Sequence, residues 1–296
     1  MEINIPIAKA LTVTDCPSLP EGPGASEIFK WDNRDNVLRD LAPLIGESDR
    51  DRFGDLLARF FDNYAECNSV FISLFKVGQP PVRVYDNLSG FDERSTIHPY
   101  VNGAYLLDPI YNRIVEGCSA GVFRLADCVP DSFTSSDYYR EYYSHIGLVD
   151  ECAILVDLGT NGVLTISIGR RGRDAVGGTS NIGFLEAFYG CLDALCKQKW
   201  NSIFSDVTPS RSDSADGLAS ASFRNFGSNI LSEREREVAI MSLRGHSVKS
   251  IARFLIISPE TVKIYRKRLY QKLNIRTQGE LFSAFISFMS DELKTA

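Results

Sequence analysis

The sequence predicts two domains of different class: an α+β N-terminal domain at residues 1–204 and an all-α, four-helix C-terminal domain at residues 228–296. Three observations support this division. Short extended runs mix with helical segments in the first part, and apolar residues recur at helical spacing in the second. The stretch between them, residues 205–227, is rich in Ser, Asp, Ala and Gly and has no sustained apolar period. We therefore interpret it as a linker.

The N-terminal domain is predicted to be a small antiparallel sheet flanked by helices, an arrangement similar to a GAF- or PAS-like fold. One helix is expected over residues 49–67, with Ser48 as its N-cap and Phe53, Leu57 and Phe60 among its apolar positions. Further helices are expected over residues 134–145 and 182–200. Strands are expected at residues 69–77, 82–88, 152–159 and 162–169, the last two as an antiparallel pair.

The C-terminal domain is predicted to begin with Ser232, which with Glu235 forms a capping box. Gly245 ends this first helix, and a second begins near Ser247. In the third helix Ser258 is the N-cap and Pro259 takes the first position; the fourth starts near Thr277. The third helix separates an apolar face from a basic one. The apolar face is Val262, Tyr265, Leu269 and Leu273, and the other carries Lys263, Lys267 and Gln271.

The charge is divided between the two domains. The whole chain has a net charge of -6, but residues 227–296 hold 12 Lys and Arg against 7 Asp and Glu. A basic module joined to an acidic body is typical of a nucleic-acid-binding domain attached to a domain with another task.

Composition also limits the other classes of function. We find no apolar run long enough to span a bilayer and no signal peptide, so we expect a cytoplasmic location and no membrane partner. The 7 cysteines form no CxxC pair, which favours buried reduced thiols over disulfides or a metal site. The histidines His98, His145 and His246 are isolated. We predict no catalytic residue, metal or cofactor, and we rank an enzyme last.

Residues 231–281 resemble the helix-turn-helix of LuxR-type transcription regulators. The resemblance rests on L-x-x-R-E-x-E-V at 231–238, Gly245 with K-x-I-A at 249–252, I-S-P-x-T-V-K at 257–263 and K-L-x-I-R-T at 272–277. Departures from the family pattern are Ile256, where Gly is usual, Tyr265, where His is common, and Ser242, usually apolar.

The resemblance implies double-stranded DNA as a partner and a third helix that enters the major groove. It makes Lys263, Ile264 and Lys267 the candidates for base contacts. It also implies dimerisation on DNA, so we expect a homodimer in which the fourth helix closes its own domain and pairs subunits. The candidates for phosphate contacts are Lys249, Ser258, Thr261 and Arg268.

The sequence indicates less clearly which signal the N-terminal domain responds to. A phosphorylated receiver domain is disfavoured, because its order of acidic residues and βα units is absent. Tyr100 and Tyr105 lead into Asp108-Pro109, similar to acyl-homoserine lactone receptors, but Trp31 and Trp200 lie far from this motif. Residues 136–151 are closer to LuxR-type regulators with a GAF-like domain and a Tyr-Tyr helix before a Gly-Leu-x-Asp-Glu turn.

Tyr138 with Tyr142, and Tyr139 with Tyr143, recur at i, i+4 spacing on two adjacent helix faces. The carboxylates close to them in sequence are Asp137, Glu141, Asp150 and Glu151. Aromatic faces beside carboxylates suit a cationic amine or a quaternary ammonium. An acyl-homoserine-lactone-like effector and a protein-docking domain without a small ligand remain alternatives. Core packing of one tyrosine pair, with the other pair on the surface, is the simpler interpretation of the helix. The candidate ligand-binding residues are Tyr100, Tyr105, Asp108, Tyr138, Tyr139 and Tyr142.

Overall fold

A computed structural model of the chain describes residues 34–76, 79–88, 97, 99–101, 103–171, 182–205 and 225–295. Residues 206–224 of the predicted linker lie outside this part. The predicted fold classes are confirmed, since an antiparallel sheet with helices precedes a set of four helices. None of the helices in the described part is long and apolar enough to cross a membrane.

The N-terminal domain is built on one five-stranded antiparallel sheet, whose strands, numbered in chain order, are β1 (Ser69–Phe75), β2 (Val82–Asp86), β3 (Gly121–Arg124), β4 (Leu148–Asp157) and β5 (Val163–Arg171). Their order in the sheet is β2-β1-β5-β4-β3. The predicted pairing of the last two strands is confirmed, with Ile154 opposite Ile166. The first of them starts earlier than predicted, at Leu148. The main helices are α1 (Arg34–Gly46), α2 (Arg50–Ala65), α3 (Pro109–Val115) and α4 (Ile182–Ser205).

Two local predictions in this domain were wrong. The N-cap of α2 is Asp49 rather than Ser48, because the Asp49 carboxylate accepts the backbone N–H of Arg52 at 2.8 Å. The predicted helix over residues 134–145 is a 3-10 turn, Phe133–Ser135, followed by a π-helix, Tyr138–Tyr143. Short helical turns also occur at Ala104–Leu107, Leu125–Cys128, Ser144–Ile146 and Gly159–Asn161.

The two faces of the sheet are buried against different partners. Cys152, Ile154 and Val156 of β4 point to α1, α2 and α4, where Trp200 meets Phe53 edge-on at 5.1 Å. Ala153 and Leu155 point to the opposite face, which is covered by the tyrosine-rich segments. The prediction of buried thiols holds for Cys67, Cys118, Cys152 and Cys196, whereas Cys191 is exposed and Cys128 half-buried.

The C-terminal domain consists of α5 (Glu233–Leu243), α6 (Val248–Leu255), α7 (Pro259–Leu273) and α8 (Gln278–Thr295). The predicted caps are confirmed: Ser232 and Glu235 form the capping box, and Ser247 and Ser258 cap α6 and α7. Glu235 also accepts a hydrogen bond from Lys272 Nζ at 2.7 Å, which ties α5 to α7. The core of this domain includes Val238, Ile251, Val262, Leu269, Leu281 and Phe285.

Candidate functional sites

The exposed side of α7 forms the first candidate site. Val262 and Leu269 are buried against the other helices, and this fixes which side of α7 faces outward. Lys263, Lys267 and Arg268 are exposed and form what we call the basic face. Ile264 lies among them with 51% of its surface exposed. These residues are therefore brought together as predicted, on a helix held rigidly by its neighbours.

The predicted phosphate contacts fall into two groups. Lys249 is exposed in the first turn of α6, so its ammonium group is accessible. Ser258 and Thr261 instead serve α7 itself: the Thr261 N–H donates to Ser258 Oγ at 3.1 Å, and the two hydroxyl oxygens are 2.9 Å apart. They stabilise the helix start, where exposed N–H groups and the helix dipole favour an anion.

Two of the departures from the family pattern, Ile256 and Ser242, have local structural consequences. Ile256 ends α6 with φ 56°, a left-handed conformation in which a glycine avoids the clash of a branched side chain. Its side chain is 91% exposed and so gains little from packing. Ser242 is buried, and its hydroxyl donates to the carbonyl of Val238 at 2.7 Å, which satisfies the polar group inside the helix.

The second candidate site is a cavity of about 60 Å³ in the N-terminal domain, which we call the tyrosine cavity. Four of the predicted ligand-binding residues line it, namely Tyr100, Asp108, Tyr138 and Tyr142. Tyr105 and Tyr139 are not among its lining residues. Tyr105 packs edge-on against Tyr111, and Tyr139 stacks on Tyr143 with ring centres 5.6 Å apart. The remaining lining residues include Ser69, Phe71, Leu125, Tyr143, Leu148, Glu151, Ser167 and Arg171.

Two carboxylates meet at this cavity. Asp108 caps α3 by accepting the Ile110 N–H at 2.8 Å, and its other oxygen accepts the Tyr100 hydroxyl at 2.6 Å. Burial raises the pKa of Asp108. Burial, together with the charge of Asp108, raises the pKa of Glu151 to about 7, against hydrogen bonds from Tyr143 and Ser167 that lower it.

Glu151 was noted as a carboxylate near the tyrosines in sequence but was not among the predicted site residues, although its position in the cavity follows from the alternation of β4. It shares a face of β4 with Ala153 and Leu155, and that face points to the tyrosines. Its register partner on β5 is Gly169, where a Cβ would lie only 2.6 Å from a methyl of Leu148. The alternation of β4 would have revealed Glu151 had the strand been started at Leu148.

The two domains are in direct contact. The backbone N–H of Ser247 donates to Asp131 at 3.1 Å, and the Ser247 hydroxyl donates to the other oxygen of Asp131 at 2.6 Å. Nearby, the Ser132 N–H donates to the carbonyl of Gly245 at 3.1 Å. Beside these bonds lies a cleft of about 740 Å³. Its lining includes Arg113, Glu116, Asp131, Arg234, Glu237, Met241, Arg244 and Phe254.

One segment, residues 133–143, separates the tyrosine cavity from the C-terminal helices, and we call it the wall segment. Tyr138 and Tyr142 face the cavity. On the other side, a Cβ at Gly245 would come within 3.1 Å of the Phe133 Cα, so the two backbones are in close contact. Accordingly, Tyr138, Phe133, Leu243 and Phe285 belong to a single apolar cluster that crosses the domain boundary.

The C-terminal helices match the model of the family described as bacterial regulatory proteins, luxR family, over residues 229–284. The chain is 27% identical over 186 residues to a putative HTH-type transcriptional regulator in the exeN 3' region of Aeromonas salmonicida, covering 62% of this chain and 94% of that protein. It is 47% identical over 51 residues to the response regulator GacA of Pseudomonas aeruginosa, covering 17% of this chain and 24% of GacA.

Among solved structures, the chain is similar to the VqsR LBD domain of Pseudomonas aeruginosa, with 26% identity, a TM-score of 0.49 and coverage of 57% of this chain and 98% of that one. The capped helices, the exposed basic face and the family match all indicate a helix-turn-helix domain in the C-terminal part. The chain therefore carries, at residues 229–284, a helix-turn-helix domain of the LuxR family of bacterial regulatory proteins.

Proposed function

We propose that this protein is a transcription regulator that reads a specific double-stranded DNA sequence through α7, under the control of a small molecule in the tyrosine cavity. Lys263, Ile264 and Lys267 contact bases in the major groove. Lys249, Arg268 and the N-terminus of α7 at Ser258 and Thr261 hold phosphates. The protein binds DNA as a homodimer.

The wall segment is the observation that carries the proposed control by a ligand. Tyr138 and Tyr142 line the cavity, while Phe133 of the same segment touches the turn at Gly245. A ligand that changes the packing of the tyrosines therefore changes how α5 and α6 pack against the N-terminal domain. Because packed interfaces respond in discrete steps, a small shift in this segment biases the position of the whole helical domain.

The exposed apolar residues support a ligand over a docked protein as the effector. In the described part of the N-terminal domain, the large hydrophobic residues that are well exposed are Leu38, Ile45, Val82 and Val115. Two of them lie on one side of α1 and the others lie singly on β2 and α3, whereas a docking surface needs a larger contiguous apolar patch. The tyrosine cavity, in contrast, combines apolar walls with a few converging polar groups, as ligand sites do.

The test begins with DNA sites recovered from a random pool by the full-length protein. Metabolite fractions of low molecular mass are then added, and the change in DNA affinity is measured by gel shift. A cavity-filling variant, Ser167→Phe, serves as the matched protein. We expect one fraction to change the affinity of the wild type and to leave the variant unaffected. The proposed control fails if every fraction that acts does so equally on both proteins.

A further inference from the structure

The tyrosine cavity has an excess of acidic groups. Asp108 and Glu151 both line it, and each raises the pKa of nearby tyrosines through its negative charge. Among the described lining residues, Arg171 is the one cation, and the charge of Asp86 acts on it. Within the described lining, two acidic groups therefore stand against one basic group.

Two hydroxyl groups in the cavity also lack partners within the described part of the chain. Tyr138 is 3% exposed and Tyr142 is 8% exposed, so both are more than nine-tenths buried. Both line the cavity, and the hydrogen bonds of the described part include none from either hydroxyl. By contrast, Tyr100 and Tyr143 bond to Asp108 and Glu151. The hydroxyl groups of Tyr138 and Tyr142 are therefore available to a polar ligand in the cavity.

We infer that the tyrosine cavity binds a small primary alkylammonium group, held by the carboxylates of Glu151 and Asp108 and by the hydroxyl oxygen of Tyr142. This rests on the proposed function and names the class of its effector. A primary ammonium has three N–H donors and no acceptor, which matches three acceptor oxygens. The faces of Tyr100 and Tyr142, stacked with centres 6.0 Å apart, add cation–π attraction.

The size of the cavity limits the ligand. A volume of about 60 Å³ holds a few heavy atoms, since a single water needs roughly 10–15 Å³ measured in this way. The apolar walls, with Phe71, Leu125 and Leu148 among them, accept a short alkyl chain beside the charged end. n-Propylammonium is the appropriate probe, with 1-propanol as its uncharged counterpart of the same length.

Binding of this cation should depend on pH. The charged and titratable groups around Glu151 are Asp108, Tyr138, Tyr142, Tyr143, Asp150 and, at the rim, Arg171. With the pKa of Glu151 at about 7, its ionised fraction rises steeply across neutral pH. Because the ammonium binds the ionised form, its affinity should rise by about tenfold between about pH 6 and about pH 8.

The experiment is calorimetric titration of the full-length protein with n-propylammonium chloride and with 1-propanol. We expect a dissociation constant below about 1 mM for the amine and at least about tenfold weaker binding of the alcohol. Glu151→Gln should weaken amine binding by about tenfold and remove its pH dependence, and Tyr142→Phe should weaken it by about threefold. Asp62→Asn, which removes an exposed carboxylate from α2 outside the cavity, should bind like the wild type. Far-ultraviolet circular dichroism checks the folding of each variant.

The inference is overturned if the alcohol binds as tightly as the amine, if folded Glu151→Gln retains full amine affinity, or if no amine binding occurs below about 10 mM. Failure of the proposed function has a different signature. If a neutral molecule such as an acyl-homoserine lactone changes DNA affinity in the wild type and not in Ser167→Phe, the cation is excluded and control through the cavity stands. If Ser167→Phe responds to every active fraction as the wild type does, both fail.

Discussion

Asp131 of the N-terminal domain holds the N-cap residue of α6, accepting both the backbone N–H and the hydroxyl of Ser247 at 3.1 and 2.6 Å. The carboxylate thus lies at the positive end of α6, in whose first turn Lys249 is exposed. A DNA phosphate binds in the same kind of environment. The contact therefore holds the helical domain against the N-terminal domain and occupies the end of α6 that favours an anion.

Replacing Asp131 should weaken the contact between the two domains and leave the start of α6 unoccupied by a carboxylate. We expect Asp131→Ala to lower the free energy of unfolding by about 1 kcal/mol and to raise affinity for operator DNA by about fivefold. Urea unfolding and gel shift measure the two effects. Asp127→Ala, which removes an exposed carboxylate from the preceding helical turn, is the control and should change neither quantity. Weaker DNA binding by Asp131→Ala would contradict a restraining role for this contact.

The basic face should account for DNA affinity. Lys263→Ala combined with Lys267→Ala should weaken operator binding by more than about 100-fold while leaving the unfolding free energy within about 0.5 kcal/mol of the wild type. Lys249→Ala, which removes a proposed phosphate contact, should instead reduce the slope of log affinity against log salt by about 1. Gln271→Ala, an uncharged change on the same exposed side of α7, is the matched control. Unchanged affinity in the double variant would remove α7 as the reading helix.

The left-handed end of α6 should be a point of strain. Ile256 has φ 56° and an almost fully exposed side chain, so Ile256→Gly should stabilise the protein by about 1 kcal/mol in thermal or urea unfolding. Asn274 ends α7 with φ 55°, and Asn tolerates this conformation better. Asn274→Gly should therefore change stability by only a few tenths of a kcal/mol. Equal effects at the two sites would show that backbone strain is not the cause.

Stability should fall as pH rises towards neutrality, because of Glu151. The pKa of Glu151 is raised from 4.5 to about 7 in the folded state, so between these values the folded protein binds more protons than the unfolded chain. This group therefore lowers the free energy of unfolding progressively from about pH 4.5 to about pH 7, by ~3 kcal/mol. Urea unfolding at a series of pH values measures the slope. Glu151→Gln should flatten that part of the profile, and Asp62→Asn, at an exposed carboxylate of α2, should keep it. A profile of Glu151→Gln identical to that of the wild type would disprove the assignment.

The C-terminal domain was predictable helix by helix, because its signals are local. Ser232 with Glu235, Ser247, and Ser258 with Pro259 mark helix starts within a few residues of the chain. The basic face follows from the helical period alone. The N-cap role of Ser258 was predicted, whereas the part of Thr261 in the same cap, through its N–H and its hydroxyl, is visible only in three dimensions.

The tyrosine cavity was predictable only in part, because it joins segments far apart in sequence. Asp108, Tyr142, Glu151 and Ser167 come from a helix cap, a π-helix and two strands. The i, i+4 pairing of Tyr138 with Tyr142 was correct, with ring centres 5.4 Å apart. The π-helix was missed because its i→i+5 bonding leaves no signature in the apolar spacing that distinguishes it from an α-helix.

The apolar cluster that crosses the domain boundary limits how this protein can be recombined. Phe133 and Tyr138 are buried together with Leu243 and Phe285, so separating the two domains would expose apolar side chains on both of them. Calorimetry should record one cooperative transition in place of two. A chimera that receives its helix-turn-helix from a relative must also receive residues that fit the wall segment. Otherwise the apolar side chains of the wall segment would be exposed and would favour aggregation, and the grafted domain would bind DNA without responding to a ligand in the cavity.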